Sequence, residues 1–132
     1  MNNLPEGAEL LQIARETLLT QLRPLLGEDA RYTVAMIANA MAIAARQTQA
    51  GEAPAQQALA RLNALYGEPA CELTGAKLRE ALAERERRLA RDIRAGRFDE
   101  ENGKHRAMLA HLRESVAARL RVSNPKSLAD LP

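Results

Sequence analysis

A chain of 132 residues, 46% of them apolar, is long enough to bury a core of its own without a metal or disulfide. Aromatics are 2%, tryptophan is absent, and alanine and leucine dominate, a composition that favours helices over sheets. A net charge of +2 with so few aromatics argues against a nucleic-acid binder, and the single cysteine, Cys71, excludes an intrachain disulfide.

Pro5 with Glu6 and Glu9 reads as the first turn of a helix, its acids at the positive end. Leu11, Ala14, Leu18 and Leu22 follow at helical spacing as one apolar stripe. Pro24 then ends or kinks that helix, and Gly27 closes the segment. Glu28 and Asp29 open a second helix that runs to the break at Gly51 and Pro54. Its run RYTVAMIANAMAIAARQ, residues 31–47, is apolar on almost every side, which predicts a central helix enclosed by its neighbours. Small faces at Ala35, Ala38, Ala42 and Ala45 would let other backbones approach closely. Asn39 stands in a row with Tyr32 and Arg46, each seven residues from the next. A buried amide without partners costs about 1–3 kcal/mol, so Asn39 is expected to be a hydrogen-bonded pin that sets helix register. Contact with a ligand is the sharper alternative.

Leu59, Leu62 and Leu65 mark the inner face of a short third helix opened by Pro54 and ending at Gly67, and GEPACELTG after it is the longest loop. A fourth helix from about Thr74 to Gly96 carries Leu78, Leu82, Leu89 and Ile93 on one side, with a wet turn expected at Arg85 and Glu86. Arg87, Arg88, Arg91 and Arg94 spread over its other side. They read as a solvated face laced by Glu84–Arg88 and Arg88–Asp92 pairs, or as a patch for an acidic partner or a phosphorylated ligand such as coenzyme A. In the last helix Leu109, Leu112, Val116 and Leu120 line up, and Asn124-Pro125 stops it. The expected fold is all-α: a single-domain antiparallel bundle of about five helices around a central apolar helix at roughly residues 28–50. Residues 1–125 would form the domain and 126–132 a loose tail.

Charge is unevenly spread. Residues 1–76 hold five arginines against eight acids, a balance of −3, and residues 77–132 hold fourteen Arg or Lys against nine acids, a balance of +5. The basic second half suits an acidic or phosphorylated partner.

Reactive constellations are missing from the pattern. There is no G-x-S-x-G, and Cys71 has no histidine near it in sequence to activate it. His105 and His111 are six apart, on different faces of a helix, which does not make a metal site, although Glu101 and His105 could form a weak i, i+4 pair. The glycines stand singly at helix ends instead of forming a phosphate loop. No catalytic residue, metal or cofactor is therefore expected. MNNLPEGAELLQ lacks the basic-then-apolar pattern of a signal peptide, and no apolar run approaches the roughly 20 residues of a membrane span, so a soluble, cytoplasmic protein without membrane contact is expected.

Three segments, RYTVAMIANAMAIAARQ (31–47), DIRAGRFDE (92–100) and HLRESVAARLRVSNPK (111–126), together resemble a family of small bacterial proteins whose domain is of unknown function. The shared pattern is an Arg-aromatic pair, an apolar helix with Ala-Asn-Ala, an Ile-Arg-x-Gly segment with an acid, and a closing Leu-Arg…Leu-x-Val-x-Asn-Pro. Arg31, Tyr32, Asn39, Ile93, Arg94, Gly96, Asp99, Leu112, Arg113, Val122, Asn124 and Pro125 carry it. Residues 50–77 match poorly, and Thr33 to Met36 lack a basic residue associated with this helix in relatives. The family resembles products of genes that neighbour aminoglycoside-phosphotransferase-like kinases and acyl-CoA dehydrogenases. The resemblance thus implies an accessory subunit of such a kinase, linked to acyl-CoA metabolism, with the dehydrogenase as a further partner. The competing reading is a small-molecule binder for acyl-CoA or another phosphate-bearing ligand. Tyr32, Asn39, Arg46, Arg94, Arg113 and Asn124 are the candidate ligand or partner contacts. The alanine-rich faces would equally serve a homodimer seam.

Overall fold

The computed structural model describes residues 4–132, and its secondary structure is helical throughout. Five α-helices run along the described chain: α1 (Gly7–Thr17), α2 (Glu28–Ala50), α3 (Ala53–Leu65), α4 (Gly75–Arg94) and α5 (Gly103–Ser123). The all-α class read from composition and periodicity is the one observed, and every breaker residue marks a boundary. Contacts group the chain into two units, one of α1, α2 and Leu120–Asp130, the other of Glu52–Arg119.

In the first unit, α1 is capped by the Glu6 N–H donating to Glu9 Oε2 at 3.2 Å. Beyond Thr17 the helix widens into a π turn (Leu18–Leu22) and tightens into a 3₁₀ turn (Arg23–Leu25). Pro24 has no N–H to give back to the preceding turn, and the Thr17 and Thr20 hydroxyls donate to the Ile13 and Glu16 carbonyls at 2.8 Å each, both of which disturb a regular ladder. The helix α2 packs on α1 through small or slender residues, with Val34, Ala38 and Ala45 buried on it and Ala8 on α1. Because Ala38 adds no bulk, the Arg15 guanidinium reaches across and its Nε donates to the Ala38 carbonyl at 3.2 Å.

The expectation that α2 is enclosed on all sides is corrected by its exposure. Tyr32 is 74% exposed, Met36 54% and Ile37 43%, and Asn39 is exposed as well. At about 100° per residue, Tyr32, Met36 and Asn39 fall within a ~60° arc, opposite Val34, Ala38 and Ala45, and Ile37 lies about 100° round from Met36. An apolar composition all round was read as burial all round, but only one face meets a partner helix in its unit. Along α1 and the π turn after it, Leu11 and Leu18 of the predicted stripe are half-buried, whereas Ala14 and Leu22 are exposed.

In the second unit the predicted inner residues are buried: Leu59, Leu62, Leu78 and Leu89 are all at or below 3% exposure. Leu62, Leu89, Phe98 and Met108 form one core cluster, with Leu65, Tyr66, Leu82 and Ile93 packed against it. The face of α5 differs from expectation. Met108, His111 and Ala117 are buried, and Leu109, Leu112 and Val116 are at least 39% exposed. His111 and Ser115 on the inward side count as polar in a pattern, yet the contact between them and the bond that Arg61 donates to His111 let them face the core. After α5 the tail winds into a 3₁₀ turn, Pro125–Asp130, entered through Asn124 Nδ2 donating to Ser127 Oγ at 2.7 Å. Among the described residues no helix is long and apolar enough to cross a membrane.

Candidate functional site

The densest polar geometry lies in the second unit, where the end of α3, the last turns of α4 and the start of α5 converge. Gly67, at φ +64°, turns the chain out of α3, and the Glu68 N–H donates back to the Asn63 carbonyl at 2.8 Å. Tyr66 and Glu68 are thereby held over α4. The Tyr66 hydroxyl donates to Asp92 Oδ2 at 2.7 Å, and Arg97 donates to Asp92 Oδ1 at 3.0 Å. The Arg88 guanidinium stacks 3.9 Å above the Tyr66 ring and donates to Glu68 Oε1 at 2.6 Å. Arg85 completes the network, binding Glu68 Oε2 at 2.7 Å and Asn63 Oδ1 at 3.2 Å, and the Asn63 amide donates to Cys71 Sγ at 3.5 Å.

At the far end of α4, Gly96 takes φ +78°, and a Cβ there would lie 2.9 Å from Asp99 Oδ2. Glycine is required for that sharp exit, which returns Arg97 and Phe98 towards Tyr66. The two rings meet edge to face with centroids 6.5 Å apart. Burial, followed by the Asp92 hydrogen bond and charge, pushes the Tyr66 phenol up to about 12, with Arg88 and Arg97 pulling the other way. Tyr66 is therefore a neutral donor that locks the Asp92 carboxylate, which is itself only 7% exposed.

This arrangement corrects three expectations. Arg88 pairs with neither Glu84 nor Asp92; the Tyr66 ring sits beneath its guanidinium and the phenol occupies Asp92, so Arg88 turns to Glu68. The turn at Arg85 is not merely solvated, since Arg85 is anchored to Asn63 and Glu68. His105 contacts the Phe98 carbonyl through Nδ1 at 2.6 Å instead of Glu101, because α5 begins directly beside that carbonyl.

Asn102 caps α5, its Oδ1 accepting from the Lys104 and His105 N–H groups at 3.0 and 3.1 Å. Between these elements lies a cavity of about 610 Å³ with Leu65, Tyr66 and Phe98 on its apolar side and Arg88, Arg97 and Lys104 among its polar groups. A second, mostly apolar groove of about 410 Å³ runs between α4 and α5 along Leu89, Ile93, Leu112 and Val116. His111 borders it, 3% exposed, with Arg61 Nε donating to its Nδ1 at 3.4 Å and Ser115 Oγ 3.4 Å from its Nε2. Burial first, then the Arg61 charge, lower its affinity for a second proton.

The residues singled out from sequence lie elsewhere. Tyr32 and Asn39 are on the outward face of α2, and Arg46 is half-buried at its end with Nε donating to the Val122 carbonyl at 2.7 Å. Arg94 and Arg113 are exposed on α4 and α5, and Asn124 joins α5 to the tail. None of the six lines either cavity. Tyr66 and Lys104 are not singled out by the sequence, and Asp92 is read there only as a solvated partner of Arg88. Asp92 did leave a signal: an acid three residues after Leu89, on the apolar side of a helix otherwise rich in outward charge.

Comparison with known proteins places the chain in one family. The model for a domain of unknown function, DUF6285, matches residues 24–127, and the chain belongs to that family. No curated protein and no solved structure matches it.

Proposed function

We propose that this DUF6285 protein is a non-catalytic accessory subunit that docks a larger protein through the outward face of α2. The partner is a phosphotransferase-like kinase linked to acyl-CoA metabolism, as the sequence resemblance implies. The observation that carries this reading is the exposure of Tyr32 and Met36 on one side of α2, with the exposed Asn39 beside them. Large apolar side chains grouped on a surface mark interaction sites, and tyrosine and methionine are enriched at interface centres. On such a face an amide has a purpose that a register pin inside the chain lacks: it supplies directional hydrogen bonds to the partner. Asn39 has no side-chain partner among the described residues, which leaves both its donor and its acceptor for one.

Co-expression with the kinase and size-exclusion chromatography test this. The two chains are expected to elute together, and a Tyr32→Ala/Met36→Ala variant is expected to elute alone with an unchanged melting temperature. A kinase that is active and monodisperse by itself, and that forms no complex with the wild-type chain, overturns the reading.

A further inference from the structure

We propose that the cavity between the end of α3, the end of α4 and the start of α5 binds a small phosphate monoester whose organic group is apolar. It is a different site from the α2 face and does not depend on the kinase reading. Its volume, about 610 Å³, falls in the range of about 300–1,000 Å³ typical of small-molecule sites.

The charge count points to a dianion. Around the cavity the network holds Arg85, Arg88, Arg97 and Lys104 against Glu68 and Asp92, a surplus of two positive charges. Arg85 and Arg88 divide the two Glu68 oxygens, and Arg97 places one nitrogen on Asp92. Lys104 has no carboxylate partner among the described residues. A guanidinium offers five N–H groups, so Arg88 and Arg97 each retain donors after these bonds. Doubly charged phosphate oxygens use such donors, and the Lys104 ammonium, better than a single carboxylate does.

The rest of the lining speaks for an ester over the free ion. Leu65, Phe98 and the Tyr66 ring form an apolar side, and Ala64, Gly67, Gly103 and Ala107 leave room beside it. Inorganic phosphate would leave that side unfilled. The polar half is also pre-set: Asp92 is fixed by Tyr66 and Arg97, and Arg88 is held between Glu68 and the Tyr66 ring, so little ordering accompanies binding.

Isothermal titration of the full chain with phenyl phosphate, inorganic phosphate and benzoate tests the assignment. Saturable binding of phenyl phosphate is expected, at least about tenfold tighter than either of the other two, each of which lacks half of the recognised chemistry. Lys104→Ala removes an exposed, unpaired cation without touching the core, and a loss of about tenfold is expected; Arg97→Ala is expected to lose at least as much. Arg79→Ala, on the exposed start of α4, is expected to bind as wild type. Absence of saturation by phenyl phosphate at millimolar concentration, or binding indifferent to Lys104→Ala, overturns the site. Equal affinity for inorganic phosphate or benzoate overturns the ligand class.

Discussion

Helices α1 and α2 dispose of an alanine- and leucine-rich sequence very differently from α3, α4 and α5. On α2 the buried residues are Val34, Ala38 and Ala45, while Tyr32, Met36 and Ile37 stay in solvent. In the other unit large side chains interlock instead, with Leu62, Leu89, Phe98 and Met108 in one cluster and Asn63, Asp92 and His111 buried beside it with hydrogen bonds satisfied. One region is held by close backbone approach and leaves its bulk outward. The other is a packed core with a polar network and a cavity. The two proposals, a docking face in the first and a ligand site in the second, rest on this contrast, and substitutions test it.

The largest effect is expected at Leu62, which has no exposure at all. Leu62→Ala should lower stability by about 2–5 kcal/mol in urea unfolding, through lost transfer energy and an unfilled cavity. Met36→Ala, at a site 54% exposed, should stay within about 0.5 kcal/mol of wild type. Similar losses at both positions would erase the distinction between the two regions.

Next in size comes Asp92→Ala, which strands the Tyr66 hydroxyl and one Arg97 nitrogen and should cost about 1–3 kcal/mol. In a Tyr32→Phe background only Tyr66 titrates in the ultraviolet. Its phenolate transition, about 12 with Asp92 in place, should move part of the way back towards the ordinary 10.0 in the Asp92→Ala chain. An unmoved transition would mean that the Tyr66–Asp92 bond is not formed in solution.

A smaller, pH-dependent effect belongs to His111. Its proton affinity in the folded chain is lowered from the ordinary 6.5, so over the interval below 6.5 the unfolded chain takes up a proton that the folded chain refuses. The contribution of His111 is thus present above 6.5 and is lost as the pH falls through 6.5 towards the lowered value. Unfolding curves between about pH 8 and pH 5 should show a steeper fall for wild type than for His111→Gln. Parallel curves would contradict the buried, neutral imidazole.

Smallest of all is Asn39→Ala, expected within about 0.5 kcal/mol because the amide is exposed. A loss above about 2 kcal/mol would restore the register pin that the sequence suggested.

Much of the fold was legible beforehand for physical reasons. Pro24, Gly51, Pro54, Gly67, Gly96 and Pro125 each interrupt a helical ladder, so the boundaries could be read one by one, and the leucine spacing of α3 and α4 identified their inner faces. On α2 periodicity failed because alanine is apolar on any face and says nothing about which side is covered, and on α5 because the inward His111 and Ser115 count as polar. The site was harder still. Tyr66 and Asp92 are 26 residues apart, and Lys104 joins them only through the turn at Gly96. No local spacing encodes that meeting; the position of Asp92 on an apolar stripe is the one local signal, and in the sequence it reads as half of a solvated pair with Arg88 instead.

The two-faced character of α2 is the claim on which the functional reading depends, and thiol labelling addresses it directly. With Cys71 replaced by serine, single cysteines are introduced at Val34, Met36, Ile37 and Ala38, and their reaction with a maleimide is timed with and without the partner. Fast labelling at 36 and 37 against slow labelling at 34 and 38, with protection of 36 on complex formation, is the predicted result. Slow labelling at all four positions in the isolated chain would contradict it.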